Sequence, residues 1–352
     1  MKAFRRMPSM LTPLLLLALS SPLIAQSCLT TSDMDEATHN GIVAAANRYF
    51  LMAARGDSAS LQQNAIPSLA ASFSGIAAVI KDNQDKLAGA QAVPRPPFLL
   101  KADSVAPLDR AEFLCGVFGS NGQTADSAVF VLNSLPPGTY AIDTIDASST
   151  KGALALSFVL QQIGTDWKVG GVYAKATQVA GHDAQWYAVR ARDFKARGQT
   201  RNAWFYFLEA RDLMVPVPFM STQATDKLYD ESQAVKPSDL PAADRPVNLV
   251  ALATAAKPPS KPGEQFNNPA SKTYEMIDLF PTLVGSDLDL VVKYRATDIA
   301  DTNKAFQDNM AVMKALVAKY PEFRESFNGI VARAVAPTGQ DYGSLLAMKD
   351  IK

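Results

Sequence analysis

Few side chains in this 352-residue chain have types and spacing that could do chemistry. The only two histidines, His39 and His182, stand far apart, and there are just two cysteines, Cys28 and Cys115. A His-built or Cys-built zinc site draws three or four such ligands together, so that class is excluded. Three acid pairs occur: Asp33 with Asp35, Asp143 with Asp146, and Asp287 with Asp289. Carboxylates two apart on an extended strand share a face, which would suit a calcium ion. The glycine and terminal glutamate of a calcium loop are missing, so these pairs are expected to be solvated turn residues. Ser148-Ser149-Thr150-Lys151 has the Ser-x-x-Lys spacing. That pattern needs a helix start, with the lysine one turn after the serine. Here it falls in a turn between two strand patterns. No glycine-flanked serine elbow, dinucleotide fingerprint or phosphate-binding Gly-Lys-Ser/Thr loop is present. No catalytic, cofactor-binding or metal-ligating residue is therefore assigned, and no cofactor is expected.

The cysteines bear on location. Met1 to Arg6 is basic, Leu11 to Leu19 is apolar, and Ser20, Ser21 and Pro22 break the run before small residues. That order is a secretory signal peptide, expected over residues 1–25. Its apolar run is shorter than the roughly 20 residues needed to span a bilayer, and no later stretch is long enough. PLIAQSC, residues 22–28, allows a cut after Ala25, or a cut before Cys28 with a lipid on its sulfur. Gln26 and the early Leu23 fit a lipoprotein signal poorly. A disulfide between Cys28 and Cys115 is favoured, because an exported chain meets an oxidising compartment. The expected location is periplasmic or secreted, with a lipid anchor at Cys28 as the alternative. Setting aside Lys2, Arg5 and Arg6 leaves 31 basic against 34 acidic side chains. That balance gives no basic field for nucleic acid.

The elements that must position these residues follow from pattern. DEATHNGIVAAANRYFLMAARGD reads as a capped helix ending at Gly56, followed by a second helical stretch interrupted at Pro67 and stopped by Pro94, Pro96 and Pro97. From 98 to 176 the period becomes two. SAVFVLNSL, PPG and TYAIDTIDA read as a hairpin, and KGALALSFVLQQI and DWKVGGVYAK continue an antiparallel meander. Residues 236–270 hold seven prolines and read as a linker with one strand, VNLVALATA. TYEMIDLF and DLDLVVKYRA read as strands separated by PTLVGS. Asp301 to Tyr320 reads as a helix, Pro321 starts another ending near Ala336, and YGSLLAMKDI reads as a last strand. The fold class is α+β, with an N-terminal domain over 26–180, a helical hairpin over 181–235 and a C-terminal α+β domain over 271–352.

Two resemblances accompany this reading. The long first helix with its RYF…GD ending, the second helical stretch and the final DWKV…Y strand, over residues 35–176, resemble the nuclear-transport-factor-like family of cone-shaped α+β domains. The resemblance implies a cone used as a ligand pocket, an enzyme site or a binding surface. It carries over no catalytic residue, because His39 at the helix start is the only histidine there. Residues 183–215 resemble one tetratricopeptide repeat. Tyr187, Ala191, Phe194 and Gly198, then Ala203, Phe207 and Ala210, fall at its aromatic, small and turn positions. Arg190 stands where leucine is usual, and Pro216 comes one residue late.

A lone hairpin has to pack on something else, since an array needs about three repeats to bury a continuous core. WFYF puts aromatic rings on all sides of one helical turn. Trp186, Tyr187, Trp204 and Tyr206 are therefore expected to form an interdomain surface or a protein-partner surface. The functional expectation is an exported, non-catalytic binding or scaffold protein of the cell envelope. The alternative is a small-ligand carrier or enzyme using the N-terminal cone.

Overall fold

The computed structural model describes residues 25–117, 123–124, 126–251 and 271–352. Residues 1–24 of the expected signal peptide and the proline-rich AKPPSKPGEQFNNP stretch lie outside the described residues. The chain runs through β1 (Ala25–Leu29), α1 (Glu36–Ala54), α2 (Ser58–Gln63), α3 (Pro67–Ala70), α4 (Ser74–Asp82) and α5 (Gln84–Leu87). Seven strands follow: β2 (Gln91–Pro94), β3 (Phe98–Asp103), β4 (Leu108–Cys115), β5 (Ala128–Leu135), β6 (Gly138–Ser149), β7 (Gly152–Ile163) and β8 (Asp166–Ala176). Asp35 caps α1 by accepting from the Thr38 amide at 2.8 Å, and Gly56 leaves the helix at φ +71°. Pro67 occupies the first turn of α3, where its missing N–H costs nothing.

The central sheet has the order β1-β3-β6-β7-β8, with β2 also paired to β6, all antiparallel. Both of its faces are buried. On one, Ile42, Ala46, Tyr49 and Ala53 of α1 pack on Ala141, Ile145, Leu156 and Phe158. Tyr49 Oη also donates to the Trp167 carbonyl at 2.6 Å, which ties α1 to β8. The other face, with Leu100, Tyr140 and Ile142, meets Phe113, Phe130 and Leu135 of a second, smaller sheet.

That smaller sheet corrects the hairpin expected at PPG. β5 pairs with β4, while β6 pairs with β2, β3 and β7, so these consecutive strands belong to different layers. Leu135 through Gly138 carries the chain between layers. Ser134 at φ +53° and Gly138 at φ +152° make the bend, and Tyr140 Oη holds it by donating to the Pro136 carbonyl at 2.8 Å. The apolar sides of β5 and β6 thus meet face to face rather than lying edge to edge. A disulfide between Cys28 on β1 and Cys115 on β4 joins the two sheets. It occupies the Cys28 sulfur, the atom that a lipid anchor would need. With a separation of 87 residues, its cross-link is worth about 4 kcal/mol in the chain-entropy model.

Beyond β8 come β9 (Gln178–Val179), β10 (His182–Asp183), α6 (Ala184–Ala196), α7 (Thr200–Met214), β11 (Met220–Thr222) and α8 (Gln223–Gln233). Gly198 makes the tight turn between α6 and α7 at φ +75°. β11 pairs with β5, so the chain returns from the hairpin to complete the smaller sheet. All four WFYF rings are buried. Phe205 meets Phe323 and Phe327 of the C-terminal unit, Tyr206 meets Tyr187 and Phe194 of α6, and Trp204 lies under the Lys236 ammonium.

The C-terminal unit contains β12 (Val247–Ala251), β13 (Lys272–Val284), β14 (Asp287–Arg295), α9 (Thr302–Lys319), β15 (Gly329–Val335) and β16 (Asp341–Ala347), its strands forming one sheet in that order. β12, the strand expected within the proline-rich stretch, is an edge strand of this sheet. Two expectations are corrected. PTLVGS is no break, since β13 continues to Val284 and only Gly285-Ser286 turns. Pro321 starts a single 3-10 turn, Pro321–Glu325, and not a longer helix. Residues 329–335 then alternate between buried and part-buried as a strand should. β14 and β15 are parallel, and α9 supplies the crossover such a pair requires. The sheet's inner face packs on α9 and shares one core with α6 and α7. No helix among the described residues is long and apolar enough to cross a membrane.

Candidate functional site

A cleft of about 380 Å³ opens where the β9–β10 turn, α6 and α7 meet the β13–β14 turn and the segment after Pro321. Its volume falls in the ~300–1,000 Å³ range of small-ligand pockets. Asp183 caps α6 by accepting from the Trp186 amide at 2.9 Å, which fixes Trp186 in the first turn. His182, held on β10 opposite Val179, stacks on the indole with centroids 3.6 Å apart and planes 6° from parallel. Trp186 keeps 37% of its surface exposed. Tyr187 Oη donates to the Val179 carbonyl at 3.1 Å, and Tyr206 Oη donates to the Ser326 carbonyl at 2.7 Å. Burial raises both phenols, with Tyr206 pushed up to about 12, so both stay protonated at neutral pH.

The opposite wall is polar. The Arg324 guanidinium donates to the carbonyls of Met348 at 3.1 Å and Ile351 at 2.7 Å. Glu325 accepts from Arg197 at 2.6 Å and Gln199 at 3.1 Å, and these bonds hold its carboxyl below the usual range. Ser286, Asp287 and Asn328 complete the lining. Ser326 is 5% exposed, and its hydroxyl has no hydrogen-bond partner. Buried polar atoms are paired as a rule, so an orphan asks for an explanation.

The four aromatic residues singled out from sequence thus divide. Trp186, Tyr187 and Tyr206 come together at the cleft, while Trp204 is buried elsewhere on α7 and takes no part. Tyr206 is bonded across to the Ser326 carbonyl of the C-terminal unit. The sequence alone gives His182 no role and does not mark Arg324, Ser326 and Asn328. Asp183 ahead of an aromatic at the helix start was the available signal for the first. Nothing local marks the others, which arrive from about 140 residues away.

The acid pairs also divide, against the expectation of solvated turns. Asp33 and Asp35 accept bonds at the start of the chain's first helices. Asp146 takes both ends of the Arg95 fork, at 2.7 and 2.8 Å. Asp289 is 3% exposed, and burial together with the neighbouring Asp287 charge raises its carboxyl. Asp143 is 1% exposed on the helix-facing side of β6, opposite Phe158 on β7, and neither carboxyl oxygen has a partner. Desolvation pushes it up to about 7. A concavity of about 440 Å³ on the same unit is lined by residues of the α2 and α4 region such as Ser58, Gln62 and Phe73, and Asp143 is not among them. Ser148 through Lys151 lies at the β6–β7 turn, where serine and lysine do not align. Among the described residues no group of three metal-binding side chains converges.

Set against known proteins, the chain matches no family model, no curated protein and no solved structure.

Proposed function

We propose that the protein is an exported, non-catalytic binding protein of the cell envelope that takes its ligand in the cleft between the helical hairpin and the C-terminal sheet. The observation that carries this is the cleft's composition: a stacked and partly exposed Trp186 faces an unpartnered buried hydroxyl, Ser326. Binding sites combine aromatic surface with a few fixed polar groups in this way. The Cys28–Cys115 disulfide supports export, since such bonds persist in oxidising compartments. The α6–α7 pair supports the tetratricopeptide-like reading of the hairpin, and helices laid on one face of the central sheet support the cone-shaped reading of the N-terminal domain.

The test has two parts. Intact-mass analysis of protein recovered from the envelope should show a chain starting at Gln26 and two hydrogens lighter than its reduced form. Retention of residues 1–25, or two free thiols, would overturn export. A ligand screen read by tryptophan fluorescence should find a saturable change that Trp186→Phe abolishes. Trp167 and Trp204 are buried, so Trp186 is the reporter.

A second reading places ligand or acid–base chemistry in the N-terminal domain, favoured by the orphaned carboxyl of Asp143. A small molecule that binds the wild type and loses its affinity in Asp143→Asn, while Trp186→Phe leaves it unchanged, would move the function there.

A further inference from the structure

We infer that the cleft is a site for an uncharged saccharide unit, an assignment that rests on the cleft being the binding site. The lining discriminates among ligand classes. An extended apolar ligand would strip water from Asp287, Asn328 and the remaining N–H groups of Arg324 without replacing it, which is costly. An anion gains Arg324 but meets Asp287 and Glu325 in the same wall. A cation gains those carboxylates but meets Arg324 in the same wall.

A sugar ring presents both kinds of surface that the cleft offers. Its C–H groups carry partial positive charge and suit the electron-rich surface of Trp186. The parallel stack on His182 fixes the plane of that indole, so no ordering is required on binding. Its hydroxyls donate and accept from adjacent carbons. The planar groups of Asn328, Asp287 and Arg324 can each engage two neighbouring hydroxyls, with donors and acceptors all represented. Arg324 is already held by two carbonyls, so its fork is oriented before any ligand arrives.

Calorimetric titration of the disulfide-intact mature chain with maltotriose, xylotriose and the N-acetylglucosamine trisaccharide tests this. A galacturonate trisaccharide, AMP and a neutral tripeptide serve as comparison probes. At least one neutral trisaccharide is expected to bind. Trp186→Ala and Asn328→Ala should each weaken it by about tenfold or more. The distant, exposed Leu51→Ser on α1 should change nothing. Asn328 is exposed, so its variant keeps the test valid if Trp186→Ala fails to fold. Binding of a comparison probe alone, with sensitivity to Trp186→Ala, would overturn the saccharide assignment and leave the cleft as the site. Binding that ignores both Trp186→Ala and Asn328→Ala, or no binding by any probe, would overturn both.

Discussion

Asn309, on α9 against the C-terminal sheet, is fully buried, and its amide is bonded throughout. Its oxygen accepts from Tyr294 Oη at 2.8 Å, and its nitrogen donates to Ser344 Oγ at 2.9 Å and to the Tyr342 carbonyl at 3.2 Å. Asp143, on β6 of the N-terminal sheet, is buried as deeply and bonded to nothing. The C-terminal sheet leaves one face to solvent, where Asp278 pairs with Lys293, Glu275 with Arg295, and Asp341 with Arg333. These ion pairs sit on that face, where Asp289 is nonetheless buried, and the sheet's inner polar group belongs to a closed network. The N-terminal sheet is covered on both faces along the middle of β6, and on the helix-facing side the Asp143 carboxyl meets apolar core. The apolar helix layer over that side of β6 leaves the Asp143 carboxyl buried without a partner.

The largest consequence is a pH dependence of stability. The folded carboxyl of Asp143 titrates near 7, against about 3.8 unfolded. The folded state therefore binds more protons between those values. Its stabilising contribution is fully present below about pH 4 and is lost as pH rises through 7. The whole loss is about 4 kcal/mol. Urea unfolding of the wild type should become easier from pH 5 to pH 8. Asp143→Leu should flatten that profile and gain most of the loss at pH 8. Glu209, also pushed up to about 7 by burial and by Asp212 against the opposing Lys175, titrates in the same range. The variant therefore identifies the group where the wild-type curve alone does not. A profile unchanged by the substitution would show that water or a partner reaches the carboxyl. It would also remove the contrast between the two sheets.

The converse applies at Asn309. Asn309→Ala leaves the Tyr294 hydroxyl and the Ser344 hydroxyl buried without their partner, at about 1–3 kcal/mol. Unfolding at pH 7 should show a loss of that size with no change in pH profile, because no carboxyl is involved. Asn309→Ala combined with Tyr294→Phe should recover part of it. If the double variant is worse by the simple sum, the network does not act as a unit.

Sequence made part of this contrast visible. The period-two runs of β6, β7 and β8 were plain, and Asp143 stands at the same parity as Ala141 and Ile145, the side facing α1. What could not be read was the coverage of both faces. It depends on β5 leaving its apparent hairpin partner and joining β4 and β11, and β11 lies beyond the helical hairpin. GIVARAV was taken into a helix because its alternation is short and follows a helix-like run. Its place beside β14 is set by α9. Cys28 and Cys115 could be paired from sequence because an oxidising compartment narrows their options. WFYF could be read as an interdomain or partner surface because no helix exposes four adjacent aromatics cheaply. The cleft could not, since His182 and Trp186 meet Arg324, Ser326 and Asn328 only when the hairpin docks on the C-terminal sheet.

The smallest effect sharpens the comparison from the solvent side. Asp278 lies on the open face, 3.2 Å from the Lys293 ammonium, with the same ammonium over the Phe280 ring at 4.9 Å. Both partners are partly exposed, so water screens the pair and replaces it when it is broken. Asp278→Ala should cost no more than about 1 kcal/mol, and 0.5 M salt should shrink that cost further. A loss comparable to that at Asn309 would mean that the outer face is covered in solution. The carboxylate would then be as desolvated as Asp143, and the difference between the two sheets would lie in pairing alone rather than in exposure.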